Sequence, residues 1–181
     1  MLTATNTIKT ALQHLINERE VLLEIGNVVA ATKDKKDLVN VLADKLRSFI
    51  PFDDILLTLY DEQKNVHIPW VYFADPHRRN CPHYDQLINA CHQVKREQTA
   101  TRSMIQEPVI FKMEDELKKD QVAPHIPACK QSGLKEMAGV IMRYGQREIV
   151  GLFLFSKAKG NFRPVHLNLI KGISSQVCIV C

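Results

Sequence analysis

Apolar residues at Ile8, Leu12, Leu15, Leu22, Ile25 and Val29 recur at steps of three and four residues, a single stripe along one long helix between Thr7 and Ala30. Arg19 and Gly26 interrupt it. A second helix is predicted from Asp34, whose side chain can cap free amides, through Leu38, Val41, Leu42, Leu46, Phe49 and Ile50 to a stop at Pro51. Beyond Phe52 the period changes. Ile55 to Tyr60 is a short apolar run with β-branching and an aromatic, closed by the polar turn 61–65, and Val66 to Phe73 continues as the partner strand. Pro69 has no amide to donate to a ladder, which predicts a sheet edge or a bulge there.

Residues 74–82 read as loop. Tyr84, Leu87, Ile88, Cys91 and Val94 mark a short amphipathic helix, and 108–113 a brief strand. Residues 115–127 are expected to be irregular and broken by proline. An antiparallel hairpin follows, with strands over 137–143 and 148–156 and a tight turn at Gly145. Pro164 suits the first turn of a last helix, along which Ile170, Ile173, Val177 and Val180 fall on one stripe. The order predicts an α+β domain with one antiparallel sheet between helices.

Composition narrows this without redirecting it. A chain of 181 residues with 45% hydrophobic and 24% charged positions suits one domain with a helical extension, and excludes a disordered or collagen-like chain. The net charge of +4 arises from 24 basic and 20 acidic residues that are interspersed, so neither nucleic acid nor an anionic membrane is expected as a partner. The apolar stretch 149–155 is far below the roughly 20 residues of a membrane-crossing helix. Residues 1–10 lack a secretory pattern, which predicts a cytoplasmic address. Cys81, Cys91, Cys129, Cys178 and Cys181 are odd in number and scattered, and read as reduced thiols.

The hairpin carries a resemblance. Residues 132–140 (Ser-Gly-Leu-Lys-Glu-Met-Ala-Gly-Val), 147–156 (Arg-Glu-Ile-Val-Gly-Leu-Phe-Leu-Phe-Ser) and Asn161-Phe162 resemble the C-terminal half of GAF domains. Residues 50–54 (Ile-Pro-Phe-Asp-Asp) are similar to the first-strand entry of the GAF domains in sigma-54-dependent transcription regulators and some sensor kinases. The resemblance implies a GAF-like central antiparallel sheet of six elements with helices on both faces. It spans residues 36–181, with residues 1–35 as a long N-terminal connector helix. It further implies a sensory module with a small-molecule pocket on one face and a dimerising helix bundle on the other. The last helix, lacking a cap or proline before Cys181, is expected to continue into an output domain of the same full-length chain. No cofactor is named by these residues.

Alternation puts Ile55, Leu57 and Leu59 on one face of the first strand and Asp54, Leu56, Thr58 and Tyr60 on the other. A few polar groups among apolar ones suit a small ligand, which needs burial and orientation together. The candidate ligand-binding set is therefore Leu56, Thr58 and Tyr60, with Trp70 and Tyr72 of the second strand, and Glu136, Ala138, Leu154 and Ser156 of the hairpin. The competing account of each is ordinary core packing or a bond to a nearby loop. His77, Cys81, His83, Cys91 and His92 lack the close ligand pairs of a zinc site, so no metal is expected. Cys178 and Cys181 have a redox spacing but lie at the wrong end of a helix.

Two alternatives to a ligand-binding sensor remain. One is a ligand-free dimerisation module. The other is thiol chemistry: Cys81, Cys91, Cys129 and Glu136 resemble the layout of GAF-type free methionine-(R)-sulfoxide reductases, although Leu154 and Ser156 stand where those enzymes carry aspartates. The cysteine-histidine pair of bilin-binding members and the Asn-Lys and Asp-Glu pairs of cyclic-nucleotide members are missing. No catalytic residue is assigned.

Overall fold

The computed structural model describes Gln13, Ile16, Ala31 and residues 19–27, 35–73, 84–91, 107–145 and 147–180. Five strands form one antiparallel sheet: β1 (Asp54–Asp61), β2 (Val66–Phe73), β3 (Val109–Lys112), β4 (Glu136–Tyr144) and β5 (Arg147–Ser156), in the order β2-β1-β5-β4-β3. The helices are α1 (Lys35–Arg47), α2 (Tyr84–Cys91), α3 (Met113–Glu116), α4 (His125–Gln131) and α5 (Pro164–Val180), and residues 19–27 are helical as well. The described residues thus hold five strands, where six sheet elements were expected.

Both expectations for Pro69 hold, because β2 is an edge strand and the register slips opposite it, between Leu57 and Thr58. The hairpin turn forms at Gly145, whose φ of +61° is open to glycine at little cost. One element departs from the expectation of an irregular 115–127 segment. Helix α4 has Pro124 at its N-cap and Pro127 within its first turn, where the first four amides have no helical acceptor anyway, so neither proline removes a bond. It ends at Gly133 (φ +78°), with Gly133 N–H donating to Lys130 O at 2.9 Å and Leu134 N–H to Cys129 O at 3.0 Å. This paired termination turns the chain directly into β4.

The sheet separates two cores. On one face Ile55, Leu57, Ala138, Val140, Met142, Val150, Leu152 and Leu154 pack against Leu42, Leu46 and Ile50 near α1, Val21 and Ile25 of the segment 19–27, and Leu169, Ile170 and Ile173 of α5. On the other, Leu56, Met137, Ile141 and Phe155 meet Leu87 and Cys91 of α2, Met113 of α3, and Ile126, Ala128 and Cys129 of α4. Helix α2 touches β2, α3 touches β3, and α4 touches both α2 and α3, so α4 lies between them.

The described members of the two apolar stripes pack within the chain. Ile25, Ile170 and Ile173 are fully buried in the aliphatic core, and Leu22 packs against it beside Gly172, where a Cβ would stand 2.7 Å from Leu22 Cδ2. An ion pair from Glu24 to Lys45 of α1 adds a surface contact. Ile8, Leu12, Leu15 and Val29, and the side chains of Val177 and Val180, lie outside the described residues. If this docking is intrinsic to the fold, Ile25→Ala should lower stability by about 2 to 5 kcal/mol in urea unfolding, the cost of emptying a packed site. A loss under about 0.5 kcal/mol, typical of a surface change, would mean the segment is undocked.

Candidate functional site

Register decides which side chains share a face, because directly paired residues project the same way. Thr58 pairs with Gly151, which pairs with Ile141; Leu56 pairs with Phe153, which pairs with Gly139; Tyr60 pairs with His67. These form the face toward α2 and α4. The intervening rows, Ile55 with Leu154 and Ala138, Leu57 with Leu152 and Val140, face the aliphatic core.

The sequence-predicted set is therefore divided. Leu56, Thr58 and Tyr60 share the α2–α4 face, whereas Ala138, Leu154 and Trp70 pack into the aliphatic core behind the sheet. Glu136 and Ser156 pair with each other two residues from Ala138 and Leu154, on that same side of the strands. The expectation that these residues line one cavity is corrected on this point: alternation along one strand does not say which row of the next strand it meets. The bulge opposite Pro69 also breaks the alternation of β2, so Trp70 joins the aliphatic core while the Tyr72 backbone pairs with Leu56. The Tyr72 side chain is outside the described residues, as are His77, Cys81, His83, His92 and Cys181 and the side chain of Cys178.

Glu136 has a structural task. Its buried carboxylate accepts the Gly160 N–H at 2.6 Å and the Asn161 N–H at 3.1 Å, with the Phe162 N–H farther off at 3.5 Å. Ser156 Oγ accepts the Ala158 N–H at 3.1 Å and the Asn161 amide at 2.7 Å. Together they pin the loop that carries the chain from β5 into α5.

The α2–α4 face has other chemistry. Thr58 Oγ1 is hydrogen-bonded to His67 Nδ1 at 3.1 Å, both residues being buried. Tyr60 packs its ring 5.2 Å from that of His67 and donates its hydroxyl to Asn65 Oδ1 at 2.6 Å, Asn65 turning the hairpin at φ 54°. Gly151 makes room for this pair. A Cβ there would lie 2.5 Å from Thr58 Oγ1 and 2.5 Å from Phe153 Cε2, so the Phe153 ring leans over a glycine beside the threonine hydroxyl. Phe153 is in the central strand yet only half-buried, while Leu152 and Leu154 on the reverse face are completely enclosed. Among the described residues, the layer of helices leaves this part of the sheet incompletely covered.

On α4, His125 is 7% exposed and its Nδ1 has no hydrogen-bond partner among the described residues. Burial pushes its imidazole down to about 4, so it is neutral near pH 7. Burial likewise pushes the Cys91 thiol up to about 12, which removes the thiolate needed for nucleophilic work. Among the described residues no three His, Cys, Asp or Glu side chains gather where a metal ion could be held. Sequence reasoning missed His67, Gly151 and Phe153 as members of one face. His67 could have been found by pairing outward from the 61–65 turn.

Two outcomes test this geometry. Glu136→Ala leaves the Gly160 and Asn161 amides without their acceptor, and should cost about 2 to 4 kcal/mol in urea unfolding, with Glu136→Gln losing less because one oxygen remains. For His125, the folded imidazole titrates about 4 and the unfolded one near the usual 6.5, so between these values only the unfolded chain gains the proton and stability falls as pH falls. The loss through that window is about 3 kcal/mol. Urea unfolding at pH 7 and at pH 4.5 should show a markedly smaller acid loss for His125→Gln than for the parent chain.

No protein-family model and no curated protein matches the sequence. Solved structures do match. The GAF domain of a two-component sensor histidine kinase from Bacillus halodurans aligns with a TM-score of 0.60 at 13% identity, over 82% of this chain and 94% of that one. The GAF domain from an Acinetobacter phosphoenolpyruvate-protein phosphotransferase gives 0.60 at 13%, over 89% and 90%. Free methionine-R-sulfoxide reductase from Neisseria meningitidis, solved with its substrate, gives 0.64 at 15%, over 88% and 85%. At these identities the likeness speaks for architecture, and with the five-stranded sheet and its two helical layers it shows that the chain has the GAF fold.

Proposed function

We propose that this chain is the sensory module of a cytoplasmic signal-transduction or transcription-regulatory protein, which holds a small molecule on the α2–α4 face and passes its presence to the terminal helices. The half-buried Phe153 in the central strand carries this reading. A ring left partly open at the middle of a sheet, beside the Thr58–His67 pair, is apolar surface with polar groups at its margin, the makings of a small-ligand site. Leu56, Thr58 and Tyr60 are its members from the sequence-predicted set, with Tyr72 beside them through its pairing with Leu56. The remaining five act from behind the sheet or through the β5–α5 loop.

The output domain is read as lying in the same full-length chain, of the sigma-54-activator or sensor-kinase kind. A homodimer is part of the proposal. Ile16 and Leu23, seven residues apart, are 43% and 56% exposed, a spacing that puts both on one side of a helix. The module is read as non-enzymatic: Cys91 is held protonated, and Glu136, the carboxylate that the reductase layout requires, is taken up by the loop amides.

Native mass spectrometry of the purified chain tests both parts at once. The expected spectrum shows twice the chain mass, with a further small mass that leaves on collisional activation. A spectrum of bare monomer at tens of micromolar protein, from gently prepared material, would contradict the ligand-holding dimer.

A further inference from the structure

The lysines divide into two sets. Among the described residues, Lys45, Lys64, Lys118, Lys119, Lys159 and Lys171 each reach a carboxylate. Lys112, Lys130, Lys135 and Lys157 reach none there, and all four are exposed.

These four gather at one end of the sheet. The pairs Lys112–Glu136 and Glu136–Ser156 bring β3, β4 and β5 level there, so Lys112 closes β3, Lys135 precedes β4 and Lys157 follows β5. The Met113 N–H donates to Lys135 O at 2.9 Å and the Lys135 N–H to Ser156 O at 2.7 Å, which ties the three chain segments together at this level. Lys130 is in the last turn of α4, and the turn at Gly133 leads from it into Lys135. Neighbouring strands lie about 4.8 Å apart, so the backbones bearing Lys112, Lys135 and Lys157 fall within about 10 Å of one another.

Like charges set side by side repel, and the acids of this end do little to offset them. Glu136 is buried on the loop amides, and Glu114, Asp115 and Glu116 are paired with Lys159, Lys118 and Lys119. Asp53, one oxygen of which accepts the Lys157 N–H at 2.8 Å, and Asp120 in the α3–α4 connection remain. Charges interspersed along the sequence are thus gathered by sign on this part of the surface.

What such a surface can hold follows from its donors. The N–H groups of Gly133, Lys157, Ala158, Gly160 and Asn161 are all donated within the chain, so they form no cradle for one compact anion. Phe111, Phe155 and Phe162, which lie toward this end, are buried and offer no ring to a nucleobase. Lysine ammoniums are point charges on flexible stems, suited to several separate carboxylates rather than to one forked anion. We propose that this end of the sheet is a docking surface for an acidic polypeptide, whose carboxylates meet Lys112, Lys130, Lys135 and Lys157. It goes beyond the sensory reading and does not depend on whether a small molecule is held over Phe153.

The 15N-labelled full chain is titrated with a peptide of alternating glutamate and alanine, at about 20 mM and about 200 mM salt. The amide resonances of Lys112, Lys130, Lys135 and Lys157 should move together, and the affinity should fall at the higher salt. Lys135→Glu with Lys157→Glu should weaken binding at least about tenfold, whereas Lys64→Glu with Lys171→Glu, the same change of charge elsewhere, should weaken it no more than about twofold. Should the first variant fail to fold, Lys135→Gln with Lys157→Gln removes the charges without reversing them and carries the same comparison. Equal losses in the two variants would mean that net charge alone attracts the peptide, and would overturn the inference. So would unmoved lysine amides at the lower salt. Tighter binding of pyrophosphate, or of an oligothymidylate of the peptide's charge, would overturn it too, by assigning the surface to a compact anion or to nucleic acid.

Discussion

The structure depends on the two-residue period of its central strand. Strand β5 lies between β1 and β4, so each of its side chains must enter one of two separate cores, and Leu152 and Leu154 enter one while Phe153 and Phe155 enter the other. Antiparallel pairing then carries that choice sideways. Once Leu154 faces the aliphatic side, Ile55 and Ala138 must as well, and a slip of one residue would send every β5 side chain to the opposite core.

The two faces consequently take different roles. Behind the sheet, α1, the segment 19–27 and α5 close an aliphatic core that leaves Leu152, Leu154, Ile170 and Ile173 without exposed surface. In front, three shorter helices carry buried polar groups and leave Phe153 half-open. Glu136 and Ser156 hold the β5–α5 loop from adjacent strands, which fixes where α5 begins.

Much of the fold is legible in the residues. The alternation of 55–60, the turn at 61–65, the hairpin about Gly145 and the start of α5 at Pro164 are local signals, and the local signal decided each. Pro69 was informative because a missing amide is an absolute constraint, whichever way the neighbouring strand runs. Helix α4 was not legible: two prolines within four residues read as a break, yet both fall where helical amides are unpaired. The candidate site was legible only along β1. Leu56, Thr58 and Tyr60 follow from counting on one strand, but joining them to Gly151, Phe153 and His67 requires the cross-strand register, which depends on contacts far apart in sequence. Glu136 shows the same gap. A lone carboxylate on a strand suggests a ligand contact, and what satisfies it, the amides of Gly160 and Asn161, is more than twenty residues away.

One face of this sheet is a closed aliphatic core, and the other, among the described residues, leaves Phe153 half-buried in its central strand. Native-state hydrogen exchange measures that difference directly, since amides released by local opening exchange at lower free energy than those released by global unfolding. Amides of α5 within 167–174 should exchange only with the slowest strands of the sheet, while those of α4 within 129–131 should exchange through smaller openings. Equal protection of α4, α5 and β5 would contradict it, because the front layer would then be as closed as the core behind.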